Sequence, residues 1–307
     1  MHGALANTDT APPRVTFESQ RLTLSCALWN DADDTRPLAV LVHGALDQAR
    51  SWDWTARRLS DRYSVAAPDL RGHGLSDWVS DGDYAIMDMV YDLAQLIDHL
   101  GRDRITLIGH SLGGNIVLRY AGLFPERVEK LVCIEGLGPS PKMLADRAEQ
   151  APDARIRQWI ENRRARAGKE PRVMADADAA KERMARAHPK LSPEQVAHLT
   201  QTGVRAMEGG GVRWAYDKGV IAPTGSDISH EDFKFLIAKI ACPVWLVYGA
   251  QSWASNPEKD GRIDFFKSAA MLKVTEFQDA GHWLHHEQFE LFMERLEDFL
   301  SGGRDDA

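Results

Sequence analysis

The sequence predicts an α/β protein with a mostly parallel central sheet, helices on both faces and an inserted helical cap. Two observations carry that expectation. Short continuous apolar runs alternate with segments of helical apolar spacing at both ends of the chain, as in a parallel sheet wound with crossover helices. Between about Pro139 and His230 the alternation stops, and only helical patterning is read.

The elements follow in order. "RVTFES" and "RLTLSCALWN" read as two antiparallel strands joined at Gln20. "LAVLVHG" (38–44) is apolar throughout and ends on glycine, the pattern of a strand buried on both faces. "SWDWTARRLS" reads as a helix and "YSVAAPDL" as the next strand, stopped at Pro68. "YAIMDMVYDLAQLIDHLG" has helical spacing and closes on Gly101 as a C-cap. "RITLIGHS", "GGNIVLRYAGLFP" and "VEKLVCIEG" continue as strand, helix and strand. The insertion holds "DARIRQWIENRRARA" and "SPEQVAHLTQTGV" as helices, with "EGGGV" at 208–212 as punctuation and no strand. "CPVWLVYGA", "DGRIDFFKSA" and "LKVTEF" resume the strand–helix–strand rhythm, and a terminal helix runs from about Glu287 to Leu300. The expected domains are a disordered tail at 1–12, a core made of 13–137 and 231–307, and a helical cap at 138–230.

Composition narrows the function. Of 307 residues, 44% are hydrophobic and 27% charged, with a net charge of −8. That suits a globular protein with a sizeable core and argues against a nucleic-acid binder, which would be basic. No apolar run reaches the roughly 18 residues of a spanning helix. The N-terminal stretch lacks the basic and apolar segments of a secretory signal, so a cytoplasmic protein is expected. Cys26, Cys133 and Cys242 are scattered without a CxxC pair, which fits reduced thiols and no structural zinc. The basic stretch "ENRRARAGKEPR" interleaves glutamates and reads as a solvated helix face.

Three motifs carry chemistry. "IGHSLGG" (108–114) places Gly109-x-Ser111-x-Gly113 between a strand and a helix. A turn that tight leaves no room for side chains beside the serine. It lifts the hydroxyl off the sheet and leaves the Leu112 N–H at a helix N-terminus, aimed at developing negative charge. "LVHGALD" ends a strand at His43-Gly44 and offers the Ala45 N–H as a second oxyanion donor. "DAGHWLHHEQF" (279–289) places His282 between the last strand and the last helix, where a base can meet a serine on the central strand. His285 and His286 are its neighbours, but no HExxH pattern suggests a metal, and no cofactor is expected.

These motifs together resemble the α/β-hydrolase fold superfamily with a helical cap. "PDLRGHGLSD" (68–77) resembles the loop after that family's fourth strand, and "VHGALDQARSW" resembles its serine-hydrolase-like and carboxylesterase subgroup. The resemblance implies a serine nucleophile, a histidine base, an orienting acid and two backbone oxyanion donors. In most members the acid follows the strand represented here by "VWLVYG", yet this chain reads Gly249-Ala250-Gln251-Ser252, with serine in the acid's place. An imidazolium without its carboxylate is poorly stabilised. Glu135, at the end of the strand after the one bearing Ser111, is the favoured substitute. Asp69, Asp264 and Asp279 are its rivals, and Asp69 resembles a structural aspartate of the family.

The expected substrate is a small ester attacked by Ser111, with water as the second reactant and neither nucleic acid nor membrane as a partner. His110, Trp159, Trp214, Trp253 and Trp283 are the expected lining of an apolar pocket at the cap seam. Carbon–carbon bond hydrolysis and acyl transfer are the alternatives within the fold. A non-catalytic binding protein on the same scaffold is the alternative outside catalysis. Epoxide opening and dehalogenation call for a carboxylate nucleophile, and position 111 is serine.

Overall fold

The computed structural model describes residues 11–30, 35–80, 84–166, 168–169, 171–222 and 227–302. Residues 1–10 of the expected tail lie outside the described residues, and Ala11 and Pro12 belong to no helix or strand. β1 (Arg14–Ser19) and β2 (Leu22–Trp29) form the expected hairpin, followed by β3 (Leu38–Val42), α1 (Asp53–Leu59) and β4 (Ser64–Pro68). Next come α2 (Ile86–His99), β5 (Ile105–His110), α3 (Leu112–Leu123) and β6 (Val128–Ile134). The inserted stretch holds α4 (Pro141–Ala148), α5 (Pro152–Arg166), α6 (Ala177–Ala187), α7 (Pro193–Gly203), β7 (Val204–Ala206) and β8 (Val212–Trp214). The chain then returns through α8 (His230–Ile237), β9 (Pro243–Gly249), α9 (Pro257–Asp260), β10 (Met271–Phe277), α10 (Leu284–Glu287) and α11 (Phe289–Ser301).

Eight strands form one sheet in the order β1-β2-β4-β3-β5-β6-β9-β10, parallel from β4 to β10. The order reverses between β3 and β5. Their following connections therefore leave in opposite directions, and a crevice opens at the carboxyl ends of the strands. β3, β4 and β5 are buried at every position because both faces are covered. Along β5, Leu107 faces the apolar layer shared with α2 and α3, whereas Ile108 faces the layer shared with α1 and α11. On that second face the Trp245 ring stacks on Phe292 with centroids 5.9 Å apart.

Two readings of the sequence need correction. The insertion is not strandless: β7 and β8 pair as an antiparallel hairpin whose turn carries Gly209, Gly210 and Gly211 at positive φ. Three-residue strands are too short to show a period of two, so only their turn glycines were legible. "DGRIDFFKSA" is not a helix. Gly261, at φ 79°, ends the four-residue α9 at the start of this stretch, which itself holds one 3₁₀ turn, Arg262–Phe265. The inserted stretch docks through specific bonds. Gln195 donates to the His286 carbonyl at 2.8 Å, and Gln48 donates to Thr202 Oγ1 at 2.7 Å. α4 and α5 bury no side chain.

One buried ion pair ties the hairpin and the loop after β4 to α2. Arg71 grips Asp92 in a two-pronged contact of 2.6 and 2.7 Å, and Ser19 Oγ donates to the same carboxylate at 2.5 Å. Both charged side chains are buried. Removing one partner strands the other charge in the interior, so Asp92→Ala should cost about 3–5 kcal/mol of unfolding free energy. Urea denaturation followed by circular dichroism measures it, and Asp92→Asn, which keeps one acceptor, should lose less.

Candidate active site

Ser111 leaves β5 with φ 53° and ψ −114°, a conformation that ordinary residues adopt only under strain. Its surroundings hold it there. A Cβ on Gly109 would lie 2.5 Å from the Gly113 carbonyl oxygen, and one on Gly113 would lie 2.2 Å from that of Val42. Both positions therefore exclude every side chain. The Ser111 N–H donates to the Ile134 carbonyl at 2.8 Å, which fastens the turn to β6. Ser111 is also the N-cap of α3 but provides no side-chain cap, so its hydroxyl is left for other partners.

His282 meets that hydroxyl: its Nε2 lies 3.0 Å from Ser111 Oγ. On the far side of the ring, Nδ1 lies 2.5 Å from Glu135 Oε2. Glu135 follows β6 at φ 53°, and its main-chain N–H donates to the Val247 carbonyl at 2.9 Å. Its carboxylate also accepts the Gly249 N–H at 2.7 Å on Oε1 and the Ser252 hydroxyl on Oε2. The residue standing where the family's acid is usual thus holds the acid that came from β6. Ser252 is aimed by the Ala254 N–H, which donates to its oxygen at 3.2 Å.

The rivals lie elsewhere. Asp69 accepts the N–H groups of Ala49 (2.7 Å) and Leu75 (3.0 Å) and pairs with Arg14. Asp264 sits in the 3₁₀ turn after Gly261. The Asp279 carbonyl takes the Lys190 ammonium at 2.9 Å.

A Cβ on Gly44 would fall 3.2 Å from Ser111 Cβ, so the loop after β3 passes directly beside the serine. It does so because two buried histidines hold it, a role the sequence did not reveal. The Leu70 N–H donates to His43 Nε2 at 3.0 Å, so His43 carries its proton on Nδ1, facing the Gly44 carbonyl at 2.7 Å. The Leu46 N–H likewise donates to His73 Nε2 at 3.2 Å. Ala45 follows Gly44 in this loop. Leu112 opens α3, where first-turn N–H groups have no intrahelical acceptor.

Two cavities adjoin this cluster. One, of about 290 Å³, is lined by Ser111, Leu112, Leu137, Met143, Tyr248 and Trp253 among others. The second, of about 360 Å³, is lined by His188, Lys190, Gln251, Trp253, His282 and Trp283 among others. Trp253 and Trp283 thus line cavities beside the cluster. Trp214 instead faces a smaller cleft with Asp47 and Tyr216, touching the same region through Trp283. Two expectations need correcting. His110 is 1% exposed and lines neither cavity; its Nε2–H donates to the His282 carbonyl at 2.9 Å, so it holds the backbone of His282. Trp159 lies on α5, its ring covered by the Arg163 guanidinium at 5.7 Å, and lines neither cavity. α5 buries no side chain, so the tryptophan has no inward face to occupy.

The sequence profile of the alpha/beta hydrolase fold matches residues 37–289. The chain belongs to the alpha/beta hydrolase fold family. Among curated relatives, 2-(acetamidomethylene)succinate hydrolase of Mesorhizobium japonicum is 28% identical over 264 residues, 86% of this chain and 88% of that protein. A serine hydrolase-like protein of Danio rerio is 33% identical over 57% of this chain and 53% of its own length. An uncharacterized protein of Mycobacterium tuberculosis is 32% identical over 42% of this chain, a match spanning 37% of that protein. Among solved structures, the thioesterase domain from the curacin biosynthetic pathway superposes with a TM-score of 0.78 at 23% identity, covering 94% of this chain and 99% of that one. At that identity the likeness speaks for the fold.

Behind the site, this alpha/beta hydrolase buries a run of histidine rings. His110 packs on His285 at 4.5 Å, and His285 on His286 at 4.1 Å, against Trp52 and Trp54. No helix among the described residues is long and apolar enough to cross a membrane, and no cluster of described His, Cys, Asp or Glu side chains is arranged to hold a metal ion. Burial holds the imidazoles neutral. It pushes His43 down to about 4, His73 and His286 to about 3, and His110 and His285 well below the ordinary value of 6.5. Below pH 6.5 the unfolded chain binds protons that the folded chain refuses, so their contribution is complete above pH 6.5 and is lost as pH falls towards about 3. Asp47 opposes this trend: burial raises it to about 7, so its contribution is lost as pH rises from 3.8 towards 7. Burial likewise lowers His188 and His198 and raises Asp53, so seven imidazoles stand against two carboxyls, and unfolding free energy should drop by about 1.4 kcal/mol per pH unit for each uncompensated histidine. Denaturation at pH 5 and pH 7.5 measures the drop, and His285→Phe should flatten it by about one proton.

Proposed function

We propose that the protein is a serine hydrolase that cleaves carboxylic esters of small apolar substrates through an acyl-enzyme. The observation that carries this reading is the unbroken line from Ser111 Oγ through His282 Nε2 and Nδ1 to Glu135 Oε2. With Glu135 ionised, Nδ1–H donates to it, and Nε2 is left as an acceptor for the Ser111 proton. Ser111 Oγ bonds to the substrate carbonyl carbon while its proton passes to His282. The resulting oxyanion takes the N–H groups of Leu112 and Ala45, and the imidazolium rests against the Glu135 carboxylate. His282 then gives its proton to the leaving oxygen as the ester C–O bond breaks. In deacylation it takes a proton from water, whose oxygen attacks the acyl carbon, and it returns that proton to Ser111 Oγ as the acyl–Oγ bond breaks and the acid leaves. The inserted stretch, in this reading, is a cap over the site.

A fluorophosphonate probe should label Ser111 in the wild-type protein and leave Ser111→Ala unlabelled, as mass spectrometry of the labelled peptide would show. An unlabelled wild type that is fully folded rules this function out.

Glu135→Ala should lower kcat on nitrophenyl esters by about 10³–10⁴-fold at little change in KM, because the imidazolium loses its counter-charge. The Ser252 oxygen and His282 Nδ1 touch the same carboxylate oxygen, so an aspartate at 252 spans the distance left by the glutamate. The double variant Glu135→Ala/Ser252→Asp should recover part of the lost kcat; no recovery would mean that position 252 cannot present an acid to His282.

A further inference from the structure

The cavity lined by Ser111 and the cavity lined by His282 share one wall, Trp253. That side chain is unusual in this protein. It is 69% exposed, although a large aromatic ring gains by burial, and its ring centroid lies 4.9 Å from that of His282. The backbone around it is pinned. Ser252 on one side donates to Glu135, and Ser255 on the other accepts from the buried Arg262 at 2.8 Å. Arg262 is itself held by Asp260 at 2.9 Å and donates to the Gly138 carbonyl at 3.0 Å, so it joins this loop to the exit of β6. An indole fixed at its base and largely exposed is a preformed contact surface.

The two chambers differ in chemistry. The one beside Ser111 presents Ile86, Leu112, Leu137 and Met143, and its two ionic side chains are already engaged, Glu135 with His282 and Ser252, and Arg262 with Asp260. The Tyr248 hydroxyl and Asn115 Oδ1 are buried out of contact with solvent. The one beside His282 presents Lys190, Gln251, His188 and Glu287. There the Lys190 ammonium stands 4.0 Å from the Glu287 carboxylate and bonds to Gln251, so charges of both signs and several hydrogen-bonding groups face one space.

Resting on the serine-hydrolase reading, we propose that Trp253 divides the substrate at its scissile bond, with the acyl group in the Leu112–Leu137–Met143 chamber and the leaving group in the Lys190–Gln251–Glu287 chamber. The chemistry sets the direction. The acyl carbon becomes bonded to Ser111 Oγ, so the acyl group stays on the side of Ser111 and Leu112. The leaving oxygen receives its proton from His282 Nε2, so it departs on the side that His282 lines. The substrate class is therefore an ester of an apolar carboxylic acid with a hydroxylated alcohol.

The test uses butanoate, hexanoate and octanoate esters of glycerol, each paired with the propyl ester of the same acid. The wild type should prefer the glycerol ester in kcat/KM by about tenfold or more. Lys190→Met should erase that preference while leaving the best acyl length unchanged. Met143→Trp, on the solvent-facing α4, should shorten the best acyl length and leave the glycerol-to-propyl ratio within about twofold. Trp253→Ala should raise KM for every ester. A wild type that favours propyl esters, or variants whose effects cross over between acyl length and alcohol, overturns the assignment. Fluorophosphonate labelling of Ser111, run on each protein, separates the two failures. No labelling sinks the hydrolase reading, and labelling without partition sinks the chambers alone.

Discussion

The Glu135 carboxylate is buried at 4% exposure and yet makes three contacts, with His282, the Gly249 N–H and the Ser252 hydroxyl. A buried carboxylate with fewer partners would be costly, because its desolvation has to be offset by bonds of good geometry. Those partners come from the last residue of β9, the turn after it and the loop after β10. Each strand end at this edge of the sheet is thereby tied to one side chain, and the imidazole of His282 is placed where Ser111 can reach it. The left-handed backbone at Glu135 is the conformational cost of pointing that carboxylate inward, just as the left-handed backbone at Ser111 presents its hydroxyl.

Close packing of glycines makes both turns achievable. A Cβ on Gly136 would lie 2.4 Å from the Gly114 Cα, so the helix after the serine and the turn after the glutamate are in backbone contact. The loop after β3 is held as tightly, but by polar means. His43 and His73 act as neutral acceptors for main-chain N–H groups, and burial keeps them neutral at ordinary pH. The geometry of the site and the acid sensitivity expected of the fold thus have a shared origin in imidazoles that cannot be solvated.

Much of this was legible in the chain. The run "LAVLVHG" and the pair of glycines around Ser111 are local signals, because burial on both faces and a tight strand-to-helix turn each dictate residue type at adjacent positions. Serine at 252 raised the question of the acid, and Glu135 was the answer favoured from its place at a strand end. The hairpin of β7 and β8 was missed because its strands are three residues long. His110 was expected to line a pocket, yet in a strand adjacent side chains point to opposite sides, and this one is buried.

By itself the sequence determined the class of fold, the central strand, the Gly-x-Ser-x-Gly turn and the order Ser111, Glu135, His282, since these depend on patterns within a few residues or on chain order. Only the tertiary structure decided which carboxylate faces the imidazole, that Ser252 supports it, that His43 and His73 brace the loop beside Ser111, and that Trp253 stands between two chambers of unlike polarity. Those facts depend on distances between residues well separated in the chain, from 27 positions for His43 and Leu70 to 147 for Glu135 and His282. Such distances are set by sheet register and loop packing, to which no local pattern of residues corresponds.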